Sequence, residues 1–332
     1  MHEFDLDLRS FLSRRSLLAA GLFFGAVAAV ATSSHRFGAA VQGLEDARPV
    51  WLWAAAAGFV GALMASASAW RGVFALCGAQ LTQIDAAARY GLGSLVNGIS
   101  PVRVGEGVRL AIFGRALPGT NRGWRTGGAF GVIAAARALV FALVVGCAAA
   151  VGAVPLWPVV ILASFAGVTG VVAFATRDRT PRTHVAHLLD AFREIGRSPA
   201  GGARIVGWIV AATAARFAGA AAIAAALGVR SPVSAALIIL PALDVAGLIP
   251  LSGNLGITSG AVAVALKTHH VAMSQALATG LAFHAVETAA GIAFGLGGTL
   301  LLVRFGGRRL VIAGAAACVA AAFAATVLVP LA

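Results

Sequence analysis

The stretch ALVFALVVGCAAAVGAVPLWPVVILASFAGVTGVVAFAT, residues 138–176, contains no charged side chain. One membrane-spanning helix needs about 20 mostly apolar residues, so this run is too long for a single span. Its centre, Gly152-Ala-Val-Pro155-Leu-Trp-Pro158, combines a glycine and two prolines, as turns do. The run therefore predicts two membrane helices, which begin near Gly127 and Leu156.

The composition of the whole chain indicates the same environment. Of 332 residues, 60% are hydrophobic and 11% are charged, whereas soluble domains are about 25% charged. This excludes a soluble globular domain and a disordered chain. The net charge of +13 comes from 25 basic and 12 acidic residues. The basic residues lie between apolar runs and form no nucleic-acid-binding module, so no nucleic-acid partner is expected.

Other apolar runs predict the remaining helices. Ala79–Ile99 and Val102–Ala116 are shorter or more polar, and they predict either spans or the arms of a re-entrant hairpin. The expected fold is all-α, a polytopic membrane helix bundle of about nine spans in one integral membrane domain, residues 1–332. The other runs are Ser16–Ser34, Pro49–Trp70, Ile205–Val229, Ser231–Ile249, Val245–Leu266, Val271–Val303 and Leu310–Ala332.

The arginines predict the orientation in a cell (inner) membrane. Cytoplasmic loops carry an excess of basic residues, which places three basic groups inside: Arg14 with Arg15, the loop 177–204, and Arg304 with its neighbours. The N-terminus is then cytoplasmic and the C-terminus external. Arg14 and Arg15 before an apolar run also resemble a signal peptide, but the length of that run favours a retained helix.

Two segments resemble each other within the chain. Pro101–Arg109 and Pro250–Thr258 share a proline, a glycine six residues later and then a β-branched residue, and each precedes a long apolar run. Inverted-repeat transporters show weak internal similarity of this kind. The interpretation divides the chain into halves, 50–175 and 204–332, joined by the cytoplasmic loop 177–204. Chance similarity in a glycine- and alanine-rich chain is the alternative.

The first of these segments is the leading candidate for a binding site. A proline interrupts the preceding helix, and freed backbone N–H groups beside Arg103 and Arg109 suit a phosphate. Glu106 and Arg109 share one helical face at i, i+3. Asn97 precedes them. The alternative is a helix at the membrane edge in which the arginines only set topology and the pair is structural.

Ionisable residues also occur inside otherwise apolar runs. Such residues usually face a bundle interior or a wet cavity and pair with one another, which predicts a polar path through the membrane. His284 and Glu287 share a face and could relay a proton, or Glu287 could neutralise Arg137 or Arg216. The sequence leaves these partners open. The residues of the path are Arg137, Arg216, Asp244, His284 and Glu287.

The second segment offers hydroxyl and amide groups instead of charge. Ser252, Asn254 and Thr258 could contact a lipid headgroup, or the segment could be a reverse turn, which is built from the same residue types. The asparagine-, serine- and glycine-rich pattern fits both interpretations.

Several chemistries have no motif in the chain. There is no complete Walker A motif, no HExxH, no GxSxG and no metal-ligand cluster, so no cofactor and no metal are expected. Cys77, Cys147 and Cys318 stand singly in apolar sequence and are predicted to be small buried hydrophobes.

The leading segment resembles a known family. Asn97 followed by Pro101-x-Arg103-x-Gly105-Glu106-x-x-Arg109 resembles the signature of the lysylphosphatidylglycerol synthase transmembrane region family, a flippase-like membrane domain that also occurs free-standing. Pro250-x-x-Gly253-x-x-Gly256-Ile is similar to its second motif. The resemblance implies movement or handling of a lipid between leaflets. Ser259 stands where relatives commonly have a glutamate, so the role of that acid does not carry over.

Three functions are compatible with these features. The first is binding and translocation of a lipid with an anionic headgroup, in which Arg103 and Arg109 hold the headgroup and Glu106 orients Arg109. The second is an integral-membrane enzyme acting on a phospholipid or polyprenyl lipid, with Glu106, Asp244 or His284 as acid or base. The third is a non-catalytic partner of a separate lipid-modifying enzyme. The missing catalytic motifs favour the first, and no acyltransferase domain follows the last helix, so lipid aminoacylation is not expected.

Overall fold

The regular structure is α-helical throughout the described residues, as the sequence predicts. The computed structural model describes residues 47–99, 105–119, 121–150, 152, 191–246 and 255–304. Eight helices lie in these ranges, together with a helical stretch at 191–197. They are α1 Pro49–Leu76, α2 Gln83–Ile99, α3 Gly105–Gly114, α4 Arg122–Ala150, α5 Pro199–Ala226, α6 Pro232–Ala246, α7 Leu255–Lys267 and α8 Met273–Arg304.

Four of the described helices are long and apolar enough to cross a membrane: α1, α4, α5 and α8. Each has 28 or more residues. The other four have 10 to 17 residues, which is fewer than the about 20 that a full span requires. The predicted spans Ser16–Ser34 and Leu310–Ala332, and the one beginning near Leu156, lie outside the described residues.

One predicted boundary is wrong. The helix expected from Gly127 begins at Arg122. In its first turn, Arg122 Nε donates to Gly119 O at 2.9 Å, and Arg125 donates to Pro118 O at 3.1 Å. Of the apolar run 245–266, the first two residues end α6 and residues 255–266 belong to α7, while residues 247–254 lie outside the described residues.

The helices follow the same order of lengths twice: long, short, short, long. Helices α1 and α5 both have 28 residues, begin with proline and end before a glycine with positive φ, Gly78 and Gly228. These two helices pack side by side, α2 packs against α8, and α4 contacts α6. A two-fold pseudosymmetry axis that maps α1–α4 onto α5–α8 would pair α1 with α5. The same axis would relate the α2–α8 contact to the α6–α4 contact. The repeat and its halves, 50–175 and 204–332, stay a prediction. Of the predicted joining loop 177–204, residues 177–190 lie outside the described residues, and α5 already begins at Pro199.

Helices α1 and α5 run antiparallel. The Arg48 N–H at the start of α1 donates to Ala226 O at the end of α5, at 3.1 Å, and Gly72 near the end of α1 faces Ile205 near the start of α5. Corresponding helices of an inverted repeat run in opposite directions, so this pairing is the one that the repeat requires. Which end faces the cytoplasm remains a prediction.

Glycines allow the helix backbones to touch at two seams. At the α1–α5 seam, a Cβ on Gly58 would lie 2.9 Å from Ala215 O and 3.0 Å from Gly219 N. At the α2–α8 seam, a Cβ on Gly298 would lie 2.8 Å from Ala88 O. Small residues are what membrane helices use to approach this closely. The seams therefore join the first four helices to the last four.

Candidate functional site

The start of α3 lies directly against α2. The Gly105 N–H donates to Asn97 Oδ1 at 2.7 Å, so the side chain of Asn97 satisfies one of the unpaired amides at the start of the helix. A Cβ on Gly105 would overlap the Gly93 carbonyl oxygen and the Asn97 carboxamide. The motif glycine at 105 is thus required by the close approach of the two helices, and Asn97 positions α3.

Arg109 extends from α3 into this contact and is buried. Its side chain is 6% exposed. One terminal nitrogen donates to Glu106 Oε1 at 2.5 Å, the other to Ser94 Oγ at 2.8 Å, and Nε donates to Tyr90 O at 3.4 Å. The guanidinium also lies 4.0 Å from the centre of the Tyr90 ring, within the range of a cation–π interaction. Arg109 therefore ties α3 to α2.

The carboxylate of Glu106 uses its two oxygens differently. Oε1 accepts from Arg109 and lies 3.9 Å from the nearer guanidinium nitrogen of Arg137 on α4. Oε2 is buried and has no hydrogen-bond partner among the described residues. An unpartnered, buried carboxylate oxygen has lost its water and gained no donor, which is costly. This oxygen is ready to accept a donor that a ligand brings.

Arg137 is the more open of the two arginines. One of its terminal nitrogens donates to the Tyr90 hydroxyl at 3.3 Å. The residue lies within α4, one of the helices long and apolar enough to span a membrane, and 39% of its side chain is accessible. Tyr90, Ser94, Glu106, Arg109 and Arg137 are called here the Glu106 cluster. Two guanidinium charges and one carboxylate give this cluster a net charge of +1.

A second group of charges joins α5, α6 and α8. Arg216 Nε donates to Glu287 Oε1 at 2.9 Å, and a terminal nitrogen of Arg216 donates to Asp244 Oδ1 at 3.0 Å. These three residues are called here the Arg216 cluster, whose net charge is −1. Of the partners that the sequence left open, Glu287 thus pairs with Arg216 and not with Arg137. Helix α4, which carries Arg137, contacts both α5 and α6, so the two clusters lie on neighbouring helices.

His284 and Thr258 lie beside the Arg216 cluster. His284 Nδ1 is 3.3 Å from Thr258 Oγ1, which links α8 to α7. Ser259 is 3% exposed, and its hydroxyl has no partner among the described residues. A Cβ on Gly280 of α8 would lie 2.6 Å from Ser259 O, so α7 and α8 are in close backbone contact here.

The structure brings six of the twelve predicted site residues into these two clusters. Asn97 holds the start of α3, and Thr258 and His284 contact each other beside the Arg216 cluster. Arg103, Ser252 and Asn254 lie outside the described residues. Sequence reasoning missed Tyr90 and Ser94, although Tyr90 is the single tyrosine of the chain, because neither carries a charge that marks it within an apolar helix. In the described ranges, no three His, Cys, Asp or Glu side chains are arranged to hold a metal ion.

A small cavity of about 140 Å³ lies near the end of α1, lined by Cys77, Arg125, Ala191 and Glu194. Burial raises the pKa of the Cys77 thiol, and the nearby Arg125 guanidinium opposes this. Cys77 is buried as predicted, whereas Cys147 is exposed on α4. The burial prediction for Cys147 is wrong because an apolar residue of a membrane helix can face lipid as well as protein.

Comparison with known proteins places these features in a family. The model of the lysylphosphatidylglycerol synthase TM region matches residues 17–295, which include both clusters. No curated protein and no solved structure matches the chain. Because the match covers most of the sequence, the chain belongs to the lysylphosphatidylglycerol synthase transmembrane region family and is an integral membrane protein of this lipid-related family.

Proposed function

We propose that this protein binds a lipid with an anionic headgroup and moves it between the leaflets of the membrane. The observation that carries the proposal is Arg137, a guanidinium on the membrane-spanning helix α4 that is 39% accessible and has one hydrogen bond within the described residues. Ionisable groups inside membrane segments are costly and usually functional. Guanidinium nitrogens bind phosphate oxygens in bidentate fashion.

In this proposal Glu106 and Arg109, the two charged motif residues of α3, position Arg137 and do not hold the phosphate themselves. The donors of Arg109 already bond Glu106, Ser94 and Tyr90, so Arg109 is a positioning residue and not the headgroup contact that the sequence suggested. Glu106 holds Arg137 from one side at 3.9 Å. Its free oxygen accepts a hydroxyl or ammonium donor from the headgroup. The site thus recognises a phosphate next to a hydrogen-bond donor.

The polar interior supplies the path for the headgroup. Moving a charged headgroup through hydrocarbon is prohibitive unless polar groups replace its water. The Glu106 cluster and the Arg216 cluster lie on neighbouring helices and carry opposite net charges. A headgroup that leaves the arginines of one cluster therefore meets polar groups of the other and not bare hydrocarbon. No bond is made or broken in this step, and the protein acts as a translocase and not as an enzyme.

Leaflet exchange in proteoliposomes tests the proposal. Vesicles would carry phosphatidylglycerol labelled on its acyl chain, and dithionite would quench the outer leaflet. Arg137→Gln is expected to lower exchange about ten- to a hundredfold, since a charge-assisted hydrogen bond contributes about 1.5–3 kcal/mol. Arg122→Gln is the matched control, because Arg122 is exposed and bonds a loop carbonyl. Equal exchange by the wild-type protein and Arg137→Gln would remove Arg137 from the mechanism.

A lipid-processing enzyme would give a different result in the same preparation. Chromatography of the lipids after incubation, with and without Mg²⁺, would show a new product if the protein were an enzyme. Labelled phosphatidylcholine provides the comparison for headgroup charge. Equal exchange of both lipids would refute selection of an anionic headgroup.

A further inference from the structure

The Arg216 cluster contains one more negative than positive charge. Arg216 pairs with Glu287 at 2.9 Å and with Asp244 at 3.0 Å, so two carboxylates share one guanidinium. Arg216 and Glu287 lie within α5 and α8, two helices that are apolar and long enough to span a membrane. A net charge in such a setting is costly, and one proton would neutralise the cluster.

The geometry allows one carboxylate to be protonated without losing the other ion pair. Glu287 and Asp244 bond different nitrogens of the guanidinium. A proton on the Glu287 oxygen would replace the hydrogen bond from Arg216 Nε and leave the bond to Asp244 in place. The cluster thus has two closely related states, one with charge −1 and one neutral, and they differ by one proton.

His284 provides a neighbouring proton carrier. It lies one turn before Glu287 on α8, and its ring contacts Thr258 Oγ1 on α7 at 3.3 Å. Histidine is the side chain whose ordinary charge change falls near neutral pH. Helix α1 presents no ionisable residue between Arg48 and Arg71. Among the described residues, Glu287 pairs with Arg216 of α5, which also pairs with Asp244 of α6, and His284 precedes Glu287 on α8. Helix α2 also packs against α8 and carries Asp85, Arg89 and Tyr90.

We propose that the Arg216 cluster is a proton-binding site that couples movement of the lipid headgroup to proton transfer. The proposal rests on the proposed function. The formal charges of the described residues in the two clusters cancel, so a headgroup with one negative charge at Arg137 leaves this set of residues at −1, and uptake of one proton restores its neutrality. Lipid and proton therefore favour each other's binding, and this linkage is reciprocal.

The proton balance is simple. A proton leaves water on one side of the membrane and forms an O–H bond on the Glu287 carboxylate, while the hydrogen bond from Arg216 Nε to that oxygen breaks. When the lipid leaves, the O–H bond breaks, the ion pair re-forms and the proton returns to water on the other side. No electrons are transferred.

Proton uptake by the purified protein tests the proposal directly. Phosphatidylglycerol would be added to the full-length protein in weakly buffered detergent containing a pH indicator dye. Lipid binding would be measured in the same samples by native mass spectrometry. The wild-type protein is expected to take up about one proton for each lipid bound. Glu287→Gln keeps the side-chain shape and cannot be protonated in this way, so it is expected to abolish uptake. Glu194→Gln, from an exposed ion pair with Arg197, should retain it.

The outcomes separate the two proposals. Absence of phosphatidylglycerol binding to the wild-type protein would overturn the proposed function. Binding without proton uptake, or full uptake by Glu287→Gln, would overturn the coupling alone. A second measurement needs no variant: a pH gradient across wild-type proteoliposomes should change the rate of labelled phosphatidylglycerol exchange severalfold, and nigericin should remove the change. An exchange rate that does not respond to the gradient contradicts the coupling.

Discussion

Replacing Gly105 by alanine should open the contact between α2 and α3. The new Cβ would overlap the Gly93 carbonyl oxygen, which is backbone and cannot turn away, and the Asn97 carboxamide. Overpacking of this kind costs about 1–3 kcal/mol, while glycine-to-alanine in a helix returns at most about 1 kcal/mol. We therefore expect Gly105→Ala to destabilise the protein by about 1–2 kcal/mol.

Gly107 provides a control on the same helix. A Cβ there would meet no atom within 4 Å, so Gly107→Ala should only gain helix propensity, about 0.5–1 kcal/mol. The two variants should then differ by about 1.5–3 kcal/mol, which corresponds to roughly 3–6 °C in melting temperature at about 2 °C per kcal/mol.

Thermal unfolding in detergent, followed by circular dichroism, measures this difference. Gly93→Ala meets the same contact from the other side, so combining it with Gly105→Ala should cost less than the sum of the two single changes. A melting temperature for Gly105→Ala at or above that of Gly107→Ala would refute the reasoning, because it would mean that α2 and α3 are not in backbone contact.

Three further predictions follow from the packing, two for substitutions and one for the reactivity of a cysteine. Gly58→Ala should destabilise the α1–α5 seam by about 1–3 kcal/mol, because its Cβ would lie 2.9 Å from a backbone carbonyl oxygen; Gly207→Ala, in open space, should raise or preserve the melting temperature. Ser259→Ala should be neutral or stabilising by up to about 1 kcal/mol, since it removes a buried hydroxyl without a described partner, and a clear loss of stability would reveal a hidden partner. Cys77 should react with maleimide more slowly than in urea-unfolded protein, with a rate that rises only above the pH where the unfolded thiol ionises, because burial raises its pKa; identical pH profiles would contradict this.

The sequence predicted the membrane helices because their signal is local. Long apolar runs between arginines mark α1, α4, α5 and α8 regardless of what they pack against. The breaks were harder to place. The start of α4 depends on bonds from Arg122 and Arg125 to carbonyls of the preceding loop, and these contacts exist only in the folded chain.

The candidate site was predictable to the extent that its residues are close in sequence. Glu106 and Arg109 form the i, i+3 pair that their spacing indicates. Arg216 and Glu287 are 71 positions apart, and only the packing of α5 against α8 selects this partner over Arg137. The burial of Arg109 could not be predicted either. The sequence of the motif is the same whether the arginine donates hydrogen bonds to a ligand or to a neighbouring helix.

The glycine seam between α1 and α5 has a consequence for how the protein is made. Helix α1 is synthesised and inserted long before α5, so the surface around Gly58 faces lipid or the insertion machinery until its partner arrives. Its small residues make few contacts with lipid chains. A larger side chain at Gly58 would prevent the close approach of α5 when the two helices assemble. The tertiary structure is therefore completed late, when α5 packs against α1 and α8 packs against α2, two helices that are already inserted in the bilayer.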